Sequence, residues 1–545
     1  MAAVGNAEPC RKFVNRTRDA LLAQQAIYQR PGDAAESVFM DILAGVAPTA
    51  FGAEHGLTGV ATLDGWKKAV PIRGYDELAP YVRRQLAGER RVLTLDDPYA
   101  FLKTSGTTGS AKLVPTTGHW RRKYRGPALY AQWGLYFDKL GGEPLPAGSV
   151  LDLSWEPAPV RFRENGFPVY SITERPVTDD VDDWLPPWRH ENWFARDPVA
   201  RDLADSLYGK LLRLAGADVR LIVSVNPSKI VMLAETLRAN ADRLIGDVGP
   251  DLGKRLARRL AGDSLRLTDL WPSLRLLVCW NSASAGLYGP WLAQVAPDVP
   301  TLPFSTTGTE GIVTLPVDGH ESAGPLAVNQ GLFEFVPWTD LHNGDPLPAD
   351  ADTVGFEELA VGEKYRLVMS QANGLYRYDV GDVYQVVGRV GATPRLEFLG
   401  RAGFQSSFTG EKVTESDVHA AVTSVIGLDL VASPRFTGIP MWDTPPYYLL
   451  AIECTDGHEA GDLGRRVDAA LQDVNVEYAE KRRSGRLRPV RVLTLVPGAF
   501  RRLAEHRFHG GVATAQIKHH WLQRDSAFLG KLQELGLIAD VSVCV

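Results

Sequence analysis

The segment Thr104-Ser105-Gly106-Thr107-Thr108-Gly109-Ser110-Ala111-Lys112 gathers hydroxyls, glycines and one lysine within nine residues. Its glycines let backbone N–H groups face an anion, its hydroxyls add donors, and its lysine adds charge, so it suits a polyphosphate. It is not a P-loop, because no Gly-Lys-Ser/Thr follows at the required spacing and a strand-like run, not a helix, comes next. A second segment, Phe304-Ser305-Thr306-Thr307-Gly308-Thr309-Glu310-Gly311, sets one carboxylate among hydroxyls, an arrangement suited to Mg²⁺. In a third, Gly374-Leu375-Tyr376-Arg377-Tyr378-Asp379-Val380-Gly381-Asp382-Val383, Asp382 follows glycine at a strand edge, placed to accept hydrogen bonds from a vicinal diol such as ribose. Near the C-terminus, Gly510-Gly511-Val512-Ala513-Thr514-Ala515-Gln516-Ile517-Lys518 carries a lysine beyond a flexible glycine pair.

Taken singly, each segment has a plain alternative. The first is also an ordinary glycine-rich connection, the second a capped turn with a solvated Glu, the third a β-turn Asp, and Lys518 a surface lysine. His519 and His520 have no acidic or Cys partner nearby in sequence, which argues against a metal site there. No Ser-His-Asp nucleophile elbow is present.

The elements that must position these groups follow from hydrophobic patterning. Phe13, Ala20, Leu21 and Ile27 recur near helical spacing, and 76–86 is a second short helix with an acidic first turn. Residues 99–103 and 112–114 read as strands flanking the first loop, and Pro115-Thr116-Thr117 caps a long aromatic helix to about Phe137. Two βα units follow: strand 219–225 with Ser228 capping helix 230–245, and strand 275–280 with a small-residue turn and an amphipathic stretch 287–295. From about Leu326 the texture changes to short alternating strands at 332–336, 365–369, 383–387 and 395–399, an antiparallel sheet or small barrel. Beyond Gly400 come helix 416–425, strand 447–453, helix 462–480 and strand 490–496, a βαβ-like tail long enough to be a domain.

Composition sets outer bounds. The chain has 545 residues, 45% of them hydrophobic and 23% charged, which excludes disorder, collagen and coiled coil. A net charge of −6 gives no electrostatic pull toward nucleic acid. Cys10, Cys279, Cys454 and Cys544 lie far apart and read as isolated thiols of a reducing compartment. No secretory h-region, membrane-length apolar run or prenylation pattern is visible, so a cytoplasmic location without membrane contact is expected. A monomer is expected as well.

The order of the motifs resembles the adenylate-forming superfamily, and within it the Gretchen Hagen auxin-responsive family of acyl-acid amido synthetases. The likeness begins at Val70-Pro71 and Tyr75-Asp76-Glu77-Leu78-Ala79-Pro80-Tyr81 and runs through the phosphate loop, Trp271-Pro272-Ser273-Leu274-Arg275, Glu310, Phe333-Glu334-Phe335-Val336-Pro337 and 374–383. It ends at Val496-Pro497-Gly498-Ala499-Phe500 and Gln516-Ile517-Lys518, so nearly the whole chain is covered. The resemblance implies an α/β adenylate-forming fold with a large N-terminal domain, 1–404, containing a small β-barrel-like region, and a smaller mobile α+β C-terminal domain, 405–545. It implies ATP held by Ser105, Gly106, Thr107, Thr108, Gly109, Thr306, Thr309, Glu310, Asp382 and Arg401, with Glu310 on Mg²⁺. Lys112 and Lys518 would be catalytic cations, and Lys412, grouped with them, would mark a hinge. Tyr130 and Trp133 on one helix, facing 155–170, would line an acyl pocket; as plain alternatives they are core residues.

The activity implied is ATP-dependent activation of a carboxylic acid as acyl-AMP and its transfer to an amine, an amino acid in the first instance. The alternatives are a thioester ligase using coenzyme A or a carrier protein, and a nucleotide-binding regulator without catalysis. Three positions depart from the family pattern: Thr306 stands where an aromatic is usual, with Phe304 as a substitute, Asp379 where Arg is usual, and Ile517 where Tyr is usual.

Overall fold

The computed structural model describes residues 7–104, 112–142, 145–160, 162–176, 185–194, 200, 202–262, 265–339, 345–402, 406–409, 411–427, 435–453, 460–509 and 518–539. The N-terminal body is built on two four-stranded sheets. In one, Leu113–Thr116 pairs antiparallel with Ala100–Lys103, which runs parallel to Phe167–Tyr170, and Phe162–Glu164 closes the edge. In the other, Thr301–Pro303, Leu276–Cys279, Leu221–Val223 and Val150–Asp152 are all parallel and, apart from half-buried Thr301, buried. The second and third strands of this sheet are the expected βα units. Cys279 lies in its core, and burial pushes that thiol up to about 12, consistent with an isolated thiol.

Two helices end differently from the sequence reading. The cap after Leu221–Val223 is Asn226, not Ser228: the Asn226 side chain accepts the Ser228 N–H at 3.1 Å and Pro227 takes the first helical position. The helix then closes at Ala239, and a separate one spans Ala241–Asp247. Likewise the expected helix 462–480 is two, Ala460–Val474 and Val476–Arg483, because Asn475 leaves helical geometry and caps the second through the Tyr478 N–H at 2.8 Å.

The two strands expected on either side of the first motif are Ala100–Lys103 and Leu113–Thr116. After the second of these, Thr117 accepts the Trp120 N–H at 3.2 Å and starts the aromatic helix, which runs through a π-helical stretch, Arg121–Arg125, into Gly126–Lys139. This helix packs on Ala7–Gln29, where Gly134 is required: a Cβ there would lie 2.2 Å from the Thr17 carbonyl.

The region of short strands is an open five-stranded antiparallel sheet, in the order Gly324–Pro325, Thr393–Arg401, Tyr378–Val390, Lys364–Ser370, Leu332–Pro337. The tail folds as expected for a βαβ unit, with Tyr447–Glu453 parallel to Arg491–Leu495 across the paired helices and Phe436–Met441 antiparallel at the edge. It docks on the body through aromatic rings: Trp521 stacks on Trp291 with centroids 5.8 Å apart and packs against Tyr288 at 6.0 Å. Among the described residues no helix is long and apolar enough to cross a membrane.

Candidate active site

Lys112 opens the strand Leu113–Thr116 from the loop side. Its ammonium donates to the Tyr378 hydroxyl at 3.0 Å and lies 5.6 Å from the ring centroids of both Tyr75 and Tyr378. Tyr75 is fixed in turn, its hydroxyl donating to the Leu113 carbonyl and accepting the Leu113 N–H, each at 2.7 Å. Desolvation lowers the lysine amine below its ordinary range, and the Glu310 charge opposes this. Ser105, Gly106, Thr107, Thr108 and Gly109 lie outside the described residues.

Glu310 is at the tip of a tight hairpin. Thr307 pairs with Ile312, the Gly308 N–H bonds the Gly311 carbonyl at 3.0 Å, and the Val313 N–H bonds Thr306 at 2.9 Å. Thr309 and Glu310 are both buried and Thr306 is half-buried. Two glycines make room for the turn: a Cβ on Gly308 would stand 2.5 Å from Glu310 Oε2, and one on Gly311 would meet the Gln371 amide at 2.8 Å. Among the described residues none donates a hydrogen bond to the Glu310 carboxylate. A buried carboxylate with no donor among the described residues and a glycine cradle beside it fits a hard cation. No group of three or more His, Cys, Asp or Glu gathers as a metal site among the described residues, so such a cation would draw its other oxygens from ligand and water.

Asp382 sits on a bulge in Tyr378–Val390 and pairs with Arg401 on the neighbouring strand, Arg401 Nε to Asp382 Oδ1 at 3.0 Å. Two buried bidentate ion pairs of opposite polarity hold this segment. Arg377 donates through Nε and Nη2 to Glu334 at 2.9 and 2.8 Å, and Arg366 donates through the same two nitrogens to Asp379 at 2.9 and 2.5 Å. Asp379 Oδ1 also accepts the Gly381 N–H at 3.0 Å, which fixes the residue just before Asp382; Gly381 has φ +80°, a backbone region that favours glycine. Burial raises the Asp382 carboxyl above its ordinary value; the Arg401 guanidinium pulls the other way, Glu310 adds to the rise, and Lys518 opposes it.

The C-terminal part brings Lys518 to the same place. Its ammonium lies over the Trp280 ring, 4.3 Å from the centroid. The residue as a whole keeps solvent exposure, yet desolvation and then Arg401 push its amine down to about 8, against the attraction of Asp382 and Glu415. Lys112, Glu310, Asp382, Arg401 and Lys518, spread over some four hundred residues of sequence, thus share one electrostatic neighbourhood.

Lys412 is marked by its backbone. Its φ of +46° is unusual for a side chain with a Cβ, and it follows Glu411, whose buried carboxylate accepts the N–H groups of Phe408 and Thr409 at 2.7 and 2.9 Å and the Tyr448 hydroxyl at 2.9 Å. Tyr130 and Trp133 are in the body core: Tyr130 meets Phe13 and lies under Arg16, and Trp133 packs on Trp188 at 4.8 Å. Phe304 is buried in the same core, its ring taken up by packing. Sequence reasoning did not find Tyr75, Tyr378, Trp280, Arg366 or Glu334, whose roles depend on which strand lies beside which.

Residues 21–251 match the GH3 family N-terminal domain, 324–401 the GH3 family central domain, and 416–527 the GH3 family C-terminal domain. The chain belongs to the GH3 family. Its GH3 relatives include probable indole-3-acetic acid-amido synthetase GH3.12 of Oryza sativa subsp. japonica, 26% identical over an alignment covering 93% of this chain and 92% of that one. Indole-3-acetic acid-amido synthetase GH3.4 of Arabidopsis thaliana is 24% identical, with 92% and 90% covered. Among solved structures, GH3.15 acyl acid amido synthetase superposes with a TM-score of 0.79 at 19% identity, over 95% of this chain and 96% of that one. AtGH3.15 in complex with 2,4-DB gives 0.77 at 18%, over 98% and 99%. The GH3 fold expected from the motifs is therefore the fold observed.

Proposed function

We propose that the chain is an ATP-dependent acyl-acid amido synthetase, which activates a carboxylic acid as acyl-AMP and passes the acyl group to an amine, an amino acid in the first instance. The observation that carries this reading is the convergence of Lys112, Glu310, the Asp382–Arg401 pair and Lys518 on one site. In the first step an oxygen of the substrate carboxylate attacks the α-phosphorus of ATP and the bond to the β-phosphate breaks, releasing pyrophosphate. Two anions must meet, and negative charge grows on the phosphoryl oxygens, so fixed cations lower the barrier. Lys112 and the 105–109 loop hold the phosphates, Asp382 accepts the ribose hydroxyls with Arg401 beside it, and Lys518 adds charge at the α-phosphate. Glu310, with Thr306 and Thr309 around it, would hold Mg²⁺, which when bound neutralises phosphate charge. In the second step the amine nitrogen attacks the acyl carbonyl, AMP leaves with the bonding pair, and the nitrogen gives up a proton.

The division into 1–404 and 405–545 belongs to this reading. The C-terminal part delivers Lys518 for the first step and turns about the segment at Lys412 for the second. Support comes from the left-handed backbone at Lys412 and the compact turn that Glu411 holds beside it. The reading is tested by giving the enzyme ATP, Mg²⁺, a panel of acyl acids and either amino acids or coenzyme A, and following AMP and the acyl product. AMP with an amide is expected; AMP formed only with the thiol would replace this reading by a thioester ligase.

A further inference from the structure

Two short segments meet across the seam between the body and the C-terminal part. From the body comes the stretch that follows Leu276–Cys279, carrying Trp280, Tyr288 and Trp291; from the C-terminal part come Lys518 and Trp521. The tryptophan of the second segment docks on Tyr288 and Trp291, and three residues earlier Lys518 places its ammonium over Trp280.

Both ends of the lysine–tryptophan contact are fixed by backbone hydrogen bonds. Trp280 donates its N–H to the Val225 carbonyl at 3.1 Å and its indole Nε1–H to the Ser305 carbonyl at 2.9 Å, so its ring is tied to the strand that leads into the Glu310 hairpin. On the other side, Arg507 donates to the Lys518 carbonyl at 3.0 Å, and the next residue, His519, bonds the Phe436 carbonyl through Nε2 at 2.9 Å. A contact anchored at both ends sets a position.

The chemistry of the contact matters as much as its rigidity. Lys518 must approach Arg401, which repels it, before any anionic nucleotide lies between them. A carboxylate partner would hold the ammonium but neutralise it. An aromatic face attracts the cation through its quadrupole without adding a counter-charge that would compete with a phosphoryl oxygen. We propose that Trp280 is a positioning residue: the body's receiving surface for Lys518, which sets the ammonium in place for the adenylation step. This rests on the reading of Lys518 as the adenylation cation.

The test is a double-mutant cycle on the full-length enzyme, with adenylation measured by single-turnover pyrophosphate release and amide formation measured from preformed acyl-adenylate. Trp280→Leu should slow adenylation about tenfold, the loss expected when a partly desolvated cation–π contact is removed. It should leave amide formation from acyl-adenylate unchanged. Trp280→Phe, which keeps a π face, should recover most of the rate; Trp280→Met, which fills the site without one, should not, and it replaces the leucine variant if that one fails to fold. In a Lys518→Ala background Trp280→Leu should have no further effect. Equal slowing by Trp280→Leu with and without Lys518, or equal slowing of both half-reactions, would assign Trp280 to packing and overturn the proposal. A Lys518→Ala enzyme with normal adenylation would instead remove Lys518 from the chemistry, a failure of the underlying reading that the same data distinguish.

Discussion

Arg366 grips both oxygens of Asp379, and the oxygen nearer Nε also accepts the N–H of Gly381, one residue before Asp382. The position where the motif resemblance leads one to expect an arginine carries a carboxylate here, and its arginine partner stands on the neighbouring strand Lys364–Ser370. Both side chains are nearly sealed, at 5% and 7% exposure, so neither charge can turn to water if its partner is lost. Asp379→Asn should cost about 3–5 kcal/mol of stability by stranding the guanidinium and should weaken ATP binding by releasing the Gly381 turn. Exchanging the pair, Asp379→Arg with Arg366→Asp, should recover part of the stability. Denaturant unfolding and ATP titration of the three variants check this; unchanged values for Asp379→Asn would detach the pair from the site.

Glu310→Gln should fold normally and lose most adenylation activity. The amide keeps the shape of the hairpin tip beside Gly308 but cannot replace a charged oxygen ligand of Mg²⁺. Pyrophosphate release at graded Mg²⁺ measures it, and near-normal release from the folded variant would take Glu310 out of the site.

Asp382→Ala removes charged acceptors, each worth about 1.5–3 kcal/mol when hydrogen-bonded, so ATP should bind roughly 10- to 100-fold more weakly. It also leaves Arg401 without its 3.0 Å partner. An unchanged ATP affinity would return Asp382 to the role of a turn residue.

The depressed amine of Lys518 sets a pH limit. The useful form is the ammonium, which predominates below about 8, where desolvation and Arg401 have placed its titration. Adenylation should therefore fall as pH rises through about 8, while amide formation from preformed acyl-adenylate should not follow that curve. Lys518→Arg, charged throughout this range, should retain some activity and flatten the alkaline fall. A wild-type adenylation rate at subsaturating ATP that stays level to pH 10 would contradict the lowered titration of Lys518.

Much of this site is legible in sequence, for identifiable reasons. Glycines beside hydroxyls or carboxylates mark places where the backbone turns tightly, so the Glu310 tip and the Gly381-Asp382 turn declare themselves, while residues 105–109 lie outside the described residues. Caps are legible too, though patterning points to Ser228 two residues beyond the actual cap Asn226, and Asn475 marks a helix restart that hydrophobic periodicity does not register. What the sequence does not carry is pairing between distant strands and segments. Arg366 looks like any strand arginine until its strand lies beside that of Asp379. Tyr378 and Trp280 look like core aromatics until Lys112 and Lys518 come to rest on them. Tyr130 and Trp133, chosen for a shared helical face, do share one, and that face meets Phe13, Arg16 and Trp188.

If a discrete acyl-adenylate forms before any amine is bound, labelled pyrophosphate should exchange into ATP in the presence of Mg²⁺ and a panel of acyl acids and in the absence of amine. The exchange should require an acid, need no amine, disappear in Glu310→Gln and fall strongly in Lys518→Ala. Exchange that proceeds without any acid, or that appears only once an amine is added, would rule out an acyl-adenylate formed ahead of the amine.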